Sequence, residues 1–81
     1  MKAHIFVTLK SGVLDSQGQA SQKALAHLGF NNVLSVRQGK FIEIELDEQD
    51  ESNAKQQINA MCQQLLANEV IETYRVEIVE A

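Results

Sequence analysis

The chain has 81 residues, a net charge of −4 and an apolar fraction of 44%, which indicate a single folded domain over residues 1–81. It has no basic stripe, no apolar run of membrane-spanning length and no signal-peptide pattern, so we expect no nucleic-acid partner, no membrane span and no secretion. The single cysteine, Cys62, excludes an internal disulfide and is consistent with a reducing cytoplasm. Because so short a domain has a thin stability margin, we expect association with another chain.

The first third of the chain predicts a strand followed by a helix. Residues 3–9 alternate between two faces and are rich in Ile, Phe, Val and Thr, as in a central strand. After the loop 10–15, Asp15 or Ser16 can cap the first helix by accepting from its free N–H groups. Gly29 is placed to end this helix in the left-handed conformation. The apolar stripe of the helix consists of Ala20, Ala24, Leu25 and Leu28.

The middle of the chain predicts a β-hairpin. Residues 32–38 and 41–47 alternate on either side of Gly39, which would occupy the left-handed region of a three-residue loop. That loop sets Val36 opposite Ile42, so that apolar side chains meet on one face along the whole hairpin. A slip of one residue would exchange the core face for the solvent face.

The last part of the chain predicts a second helix and a final strand. An acidic turn at 47–52 precedes the helix, Asn68 can end it, and residues 72–79 alternate again. The apolar stripe of this helix consists of Ala54, Ile58, Met61, Cys62, Leu65 and Leu66. The order predicts an α+β, ferredoxin-like βαββαβ fold, with both helices on one face of a four-stranded antiparallel sheet. The first and third strands would be central.

The predicted helix-free face of the sheet mixes apolar and charged side chains. Such a face is too apolar to be purely solvated, and patches of this kind commonly mark an interface. No proline blocks the edge strands. We therefore expect a homodimer or tetramer that uses this face, an edge strand or both. The face would carry His4, Phe6, Thr8, Val33, Ser35, Arg37, Phe41, Glu43, Glu45, Arg75, Glu77 and Val79.

The loop between Gly12 and Gly18 invites a phosphate-loop interpretation that its spacing does not support. Five residues separate the glycines, and Gln19-Ala20 stands where Lys-Ser/Thr is required. The helix N-terminus could still hold an anion through its N–H groups, against the alternative of a structural turn that satisfies its own caps. An acylphosphatase-like activity would need an arginine in this loop, where Lys10 is the only cation.

The remaining reactive side chains do not form a catalytic set. His4 and His27 have no evident acidic partner, and Cys62 falls on an apolar stripe as a small buried hydrophobe. Glu43 and Glu45 lie on one strand face as an ordinary solvated or salt-bridged pair. We expect no catalytic residue, no cofactor site and no metal site in the chain itself.

Three stretches together resemble one known family. Residues 13–18 open the first helix, residues 36–40 form the predicted turn, and residues 61–74 run from the second helix into the last strand. In this order and at this spacing, over nearly the whole chain, they are similar to the PurS family, the small subunit of phosphoribosylformylglycinamidine (FGAM) synthase. The family often has proline where this chain has Ser16 and Glu69, which should loosen two turns slightly.

The resemblance implies a cytoplasmic subunit without an active site of its own. The family's enzyme makes FGAM from formylglycinamide ribonucleotide, glutamine and ATP in de novo purine synthesis. The small subunit, typically a dimer, bridges an ATP-dependent synthetase subunit and a glutaminase subunit, and supports assembly and ammonia transfer. Our candidates for its interfaces are Phe6, Leu14, Gln17, Arg37, Lys40, Phe41, Asn68 and Tyr74.

Two other functions stay open at this point. One is a stand-alone, dimeric ferredoxin-like module that binds a regulatory small molecule. The other is a minor acyl phosphate hydrolase of the acylphosphatase kind.

Overall fold

The computed structural model describes residues 1–80. Its elements in chain order are β1 (Lys2–Leu9), α1 (Ser16–His27), β2 (Gly39–Glu45), α2 (Glu51–Met61) and β3 (Glu72–Glu80). A short π-helix, Cys62–Leu66, continues from the end of α2. The strands form one antiparallel sheet in the order β2-β1-β3, so β1 is central and β2 is an edge.

The predicted four-stranded ferredoxin-like sheet is wrong, because the described chain forms a three-stranded sheet. Residues 33–38, which the alternation assigned to a strand, are irregular. The Gln22 Nε2 atom donates to the carbonyl oxygens of Val33 and Leu34, at 3.3 and 3.0 Å. The Gln22 side chain thus supplies the hydrogen bonds that a neighbouring strand would otherwise donate to these two carbonyl oxygens. The third predicted strand, observed as β2, is therefore not central.

Gly39 is the first residue of β2 and not the turn of a hairpin. It pairs with Thr8 of β1, and a Cβ atom on Gly39 would lie 2.2 Å from the carbonyl oxygen of Val7. The glycine is therefore required by the close approach of two backbones, and the predicted hairpin register is wrong.

Both helices begin at an aspartate cap. The Asp15 Oδ1 atom accepts from the Gly18 N–H at 2.8 Å, and the Asp50 Oδ1 atom accepts from the Ser52 N–H at 3.0 Å. At its other end α1 stops at Gly29, whose φ of 100° is left-handed. The predicted start and end of the first helix are confirmed.

The end of α1 has the hydrogen bonds of a Schellman motif. The Phe30 N–H donates to the Leu25 carbonyl oxygen at 3.0 Å, and the Gly29 N–H donates to the Ala26 carbonyl oxygen at 3.1 Å. The chain therefore leaves α1 with the carbonyl oxygens of Leu25 and Ala26 satisfied.

The core lies between α2 and the central strand. Its fully or almost fully buried side chains are Ala3, Ile5 and Val7 of β1, Ala54 and Ile58 of α2, and Cys62. Cys62 is a free thiol, and burial raises its pKa, with the nearby Glu69 carboxylate raising it further. In α1 the buried residue is Gly18 alone, so α1 adds no large side chain to this core. Within residues 1–80, no helix combines the length and apolar character that crossing a membrane requires.

Candidate interaction surfaces

The helix-free face of the sheet carries a cluster of aromatic rings, which we call the aromatic face. Because side chains alternate along β1, His4 and Phe6 point away from the buried Ile5. The Phe41 ring centroid lies 4.8 Å from that of His4 and 5.3 Å from that of Phe6. Phe41 is 56% exposed, so part of this ordered apolar surface faces solvent.

Charged side chains surround these rings. The Arg75 guanidinium lies 4.3 Å from the Phe6 ring centroid, a cation–π contact, and also pairs with Glu77. On the other side, Glu43 pairs with Lys2 at 3.2 Å and approaches His4 at 4.0 Å. Exposed ion pairs contribute little stability by themselves. An apolar centre with such a polar rim has the composition of a protein–protein contact.

The residues predicted to share this face are only partly brought together. The strand register places those of β1, β2 and β3 side by side. Val33, Ser35 and Arg37 are not among them, because residues 33–38 are not a strand. The Arg37 side chain instead donates to the carbonyl oxygen of Leu9 at the end of β1.

An open groove with a volume of 520 Å³ lies between the loop before α1 and the segment 35–37. Its lining includes Leu14, Gln19, Gln22, Val36 and Arg37. Two of the predicted interface residues, Leu14 and Arg37, therefore line one groove. Leu14 is 66% exposed, so its side chain is accessible from solvent at this groove.

Asp15 stands at the edge of this groove and joins its two sides. Its Oδ2 atom accepts from the Gln38 N–H at 2.8 Å, while Oδ1 caps the helix at Gly18. These two hydrogen bonds, together with the positive charge of Arg37, hold the pKa of the Asp15 carboxyl below its usual value. The protein's own carboxylate thus occupies the helix N-terminus, which favours the structural turn over the anion site.

A second hollow, of 260 Å³, lies at the same end of the sheet. Gln17 and Lys40 both line it, and the Lys40 ammonium pairs with Glu72 at 3.6 Å. Tyr74, by contrast, is half-buried and packs against the core cluster. Asn68 lies in the turn before β3, where its Oδ1 atom accepts from the Val70 N–H at 3.1 Å.

Three large apolar side chains that we did not assign to an interface are exposed beyond the first helix. Leu28 is 73% exposed, Phe30 is 56% exposed and Leu34 is 93% exposed. The apolar stripe predicted an inward face for Leu28, and Leu34 lies on the same face of the predicted hairpin strand as Val36, which was expected opposite Ile42. Periodicity identifies such a face but carries no signal of which chain covers it.

Among residues 1–80, no three His, Cys, Asp or Glu side chains are grouped so as to hold a metal ion. His4 belongs to the aromatic face, Asp15 is a helix cap and Cys62 is buried. Each of these reactive groups therefore has a packing or capping role in the fold.

Comparison with known proteins gives consistent matches over nearly the whole chain. The family model described as "PurS: Phosphoribosylformylglycinamidine (FGAM) synthase" matches residues 2–80. The PurS subunit of FGAM synthase from Synechocystis sp. is 53% identical over 74 residues, which cover 91% of this chain and 74% of that protein.

Solved structures show the same similarity. Bacillus subtilis PurS superposes with a TM-score of 0.86 at 43% identity, covering 98% of each chain. A chain of the PurLQS structure from Thermotoga maritima superposes with a TM-score of 0.86 at 30% identity, covering 94% of this chain and 93% of that one. The overall fold of the chain is thus similar to that of these proteins of related sequence.

Proposed function

The chain belongs to the PurS family of FGAM synthase subunits, and from this membership we propose how it acts within the enzyme. The resemblance drawn from residues 13–18, 36–40 and 61–74 is confirmed. The protein is a PurS subunit of FGAM synthase and takes part in purine biosynthesis. We infer that it contributes contact surfaces and not reacting groups.

The structural roles of its reactive side chains support a non-catalytic subunit. A nucleophilic cysteine needs an accessible thiolate, whereas Cys62 is buried and its pKa is raised. The Asp15 carboxylate already accepts two backbone N–H groups, which leaves it ill-suited to act as a general base.

The chain bridges the ATP-dependent synthetase subunit and the glutaminase subunit, and supports transfer of ammonia released from glutamine. The observation that carries this proposal is the likeness to a chain of the T. maritima PurLQS structure over 94% of the present chain. Two separate surfaces suit such a bridge: the aromatic face around Phe6 and Phe41, and the groove that Leu14 and Arg37 line.

The subunit works in the cytoplasm as a homodimer or tetramer. The partly exposed aromatic face supports self-association, because ordered apolar patches on small proteins commonly mark protein contacts. A copy pair would also increase the apolar area that so short a chain can bury.

Reconstitution of the enzyme tests this function. The synthetase and glutaminase subunits would be assayed for FGAM formation with and without this chain, using glutamine or ammonium as the nitrogen source. We expect glutamine-dependent turnover to require the chain and ammonium-dependent turnover to require it far less. Equal glutamine-dependent turnover in its absence would show that the proposed role is wrong.

A further inference from the structure

The outer edge of β3 is open along the longest strand of the described sheet. β3 spans nine residues, Glu72–Glu80, and within residues 1–80 it pairs with β1 on one side only. Such an edge presents a row of backbone N–H and C=O groups that can hydrogen-bond to another strand. Proline, which would block this pairing, does not occur in the chain. The edge of β3 can therefore accept a further strand.

The charges of β3 are arranged symmetrically about its middle residue, Val76. Arg75 precedes Val76 and Glu77 follows it, and their side chains are 61% and 45% exposed on the helix-free side of the sheet. If two copies of β3 pair antiparallel about Val76, Arg75 of each copy lies directly opposite Glu77 of the other. Opposite charges in directly opposed positions stabilise strand pairing. The strand is therefore complementary in charge to a second copy of itself.

The helix side of β3 is complementary in the same register. Pairing about Val76 sets Tyr74 of one copy opposite Ile78 of the other, and the two Val76 side chains opposite each other. All three residues are half-buried and pack against the core cluster, so each keeps apolar surface that a contact can bury. Within one copy Val76 pairs with Ile5, and Ile5 pairs with Ile42. The contact would continue this apolar row across six strands.

Other registers of the same pairing are less favourable. Centring the pair on Arg75 opposes two guanidinium groups, and centring it on Glu77 opposes two carboxylates, which destabilises strand pairing. These shifts also shorten the contact, because all nine residues of Glu72–Glu80 can pair only about its midpoint, Val76. Strand length and charge therefore select the same register.

The other edge of the sheet, on β2, lacks this symmetry. Pairing two copies of β2 about its midpoint, Ile42, would set Phe41 opposite Glu43 and Lys40 opposite Ile44. Centring the pair on Glu43 would oppose two carboxylates. β3 is therefore the edge that suits pairing between two copies.

We propose that β3 of each copy pairs antiparallel with β3 of a second copy about Val76, which joins two three-stranded sheets into one sheet of six strands. This inference rests on the homo-oligomer of the proposed function and assigns it a contact. The contact is isologous, so each β3 edge covers the other and neither stays open. In the joined sheet the two aromatic faces lie on the same side and form one continuous surface.

Two charge reversals that complement each other test this contact. Arg75→Glu gives a chain with two carboxylates beside Val76, and Glu77→Arg gives a chain with two guanidinium groups there. Each variant alone opposes like charges twice, so its dissociation constant for self-association should rise about tenfold or more at low salt. A mixture of the two restores opposite charges at both positions, and we expect the mixed species to predominate in native mass spectrometry.

A matched control separates this contact from general attraction between oppositely charged chains. Lys55 and Glu51 pair with each other on α2 at 3.6 Å, and Lys55→Glu mixed with Glu51→Lys repeats the same changes in net charge away from β3. We expect this mixture to show no preference for the mixed species. Self-association that is unchanged in Arg75→Glu and Glu77→Arg, or a preference no greater than in this control, would overturn the proposal.

Crosslinking tests the register itself. Chains of different mass, one with Arg75→Cys and the other with Glu77→Cys, would be mixed and oxidised, while the native Cys62 stays buried. We expect the mixed disulfide dimer as the main product, because directly opposite residues have Cβ atoms about 4.5–5.5 Å apart. The control replaces Glu77→Cys with Glu43→Cys, a glutamate of similar side-chain exposure (47% against 45%) that lies on β2. A yield no higher than that of the control would contradict the proposed pairing.

The two proposals fail separately. If the reconstituted enzyme needs this chain for glutamine-dependent turnover but Glu77→Cys crosslinks only to the synthetase or glutaminase subunit, the β3 contact is wrong and the function stands. If β3 crosslinks to a second copy but turnover with glutamine does not need the chain, the contact stands and the function is wrong.

Discussion

The two helices of this protein begin with similar caps but differ in how far their apolar side chains are buried. Both start at an aspartate whose carboxylate accepts a backbone N–H, and both carry an apolar stripe. Yet Ala54 and Ile58 of α2 are completely buried, whereas Leu25 of α1 is half-buried and Ala24 is exposed. The caps and the periodic pattern therefore indicate that a helix forms. Tertiary contacts determine which surface, if any, buries its apolar stripe.

We expect the largest difference between the two helices when one large side chain near each is truncated and the loss in the free energy of unfolding is compared. Ile58→Ala removes a fully buried side chain and should lower the free energy of unfolding by about 2–5 kcal/mol. Leu28→Ala removes a side chain that is 73% exposed and should cost less than about 0.5 kcal/mol in the dissociated chain. Urea unfolding at low protein concentration measures both, and equal losses would show that α1 is packed within its own chain.

Removal of the two helix caps should also lower the free energy of unfolding by different amounts, although the difference is smaller than for the side-chain truncations. Asp50→Ala removes a hydrogen bond to Ser52 and should cost about 1 kcal/mol. Asp15→Ala removes bonds to both Gly18 and Gln38, so we expect a larger loss than for Asp50→Ala. Thermal unfolding of the two variants side by side gives the order. A smaller loss for Asp15→Ala would mean that the link to Gln38 contributes no stability.

The Asp15 carboxylate should also make the stability of the fold depend on pH in the acid range. The pKa of Asp15 is lowered in the folded chain by hydrogen bonds from Gln38 and Gly18, so the folded state binds its proton less readily than the unfolded state. The resulting stability is present above the unfolded pKa of about 4 and is lost as the pH falls through the lower, folded value. Unfolding of the Asp15→Asn variant should depend less steeply on pH in this range, as followed by circular dichroism. An unchanged slope would contradict the assignment.

A change in the groove should leave the isolated fold unaffected. Leu14 is 66% exposed, so Leu14→Asp should preserve the circular dichroism spectrum and melting temperature of the dissociated chain while weakening assembly of the reconstituted enzyme. Size-exclusion chromatography with the partner subunits measures the latter. Loss of the folded state would place Leu14 in the core instead.

The sequence identified the helices more reliably than the sheet. Asp15 and Gly29 act through local backbone geometry, which neighbouring residues set, and both were recognised. The strand expected at 32–38 failed because alternation describes side-chain faces and not hydrogen-bond partners. The Gln22 amide supplies those partners from another element, and no local pattern records a contact between residues so far apart.

The candidate surfaces show the same limit. Alternation along β1 placed Phe6 opposite the core face, and pairing with Phe41 follows from the strand register. Arg37 was expected on that face and lies instead at the end of β1, because its position depended on the strand that does not form. The exposed Leu28 and Leu34 could not be foreseen, since an apolar residue in a sequence does not show whether its own chain or another buries it.

The central position of β1 has a consequence for how the chain folds. The first strand pairs with the last, β3, along its whole length, so that ladder closes a loop containing both helices and β2. Strand pairs that close such long loops form slowly, because the chain loses conformational entropy on closing the loop before the stabilising contacts form. Until β3 pairs with β1, one edge of β1 is open. The step that completes the sheet is therefore also the step most exposed to misassociation during folding.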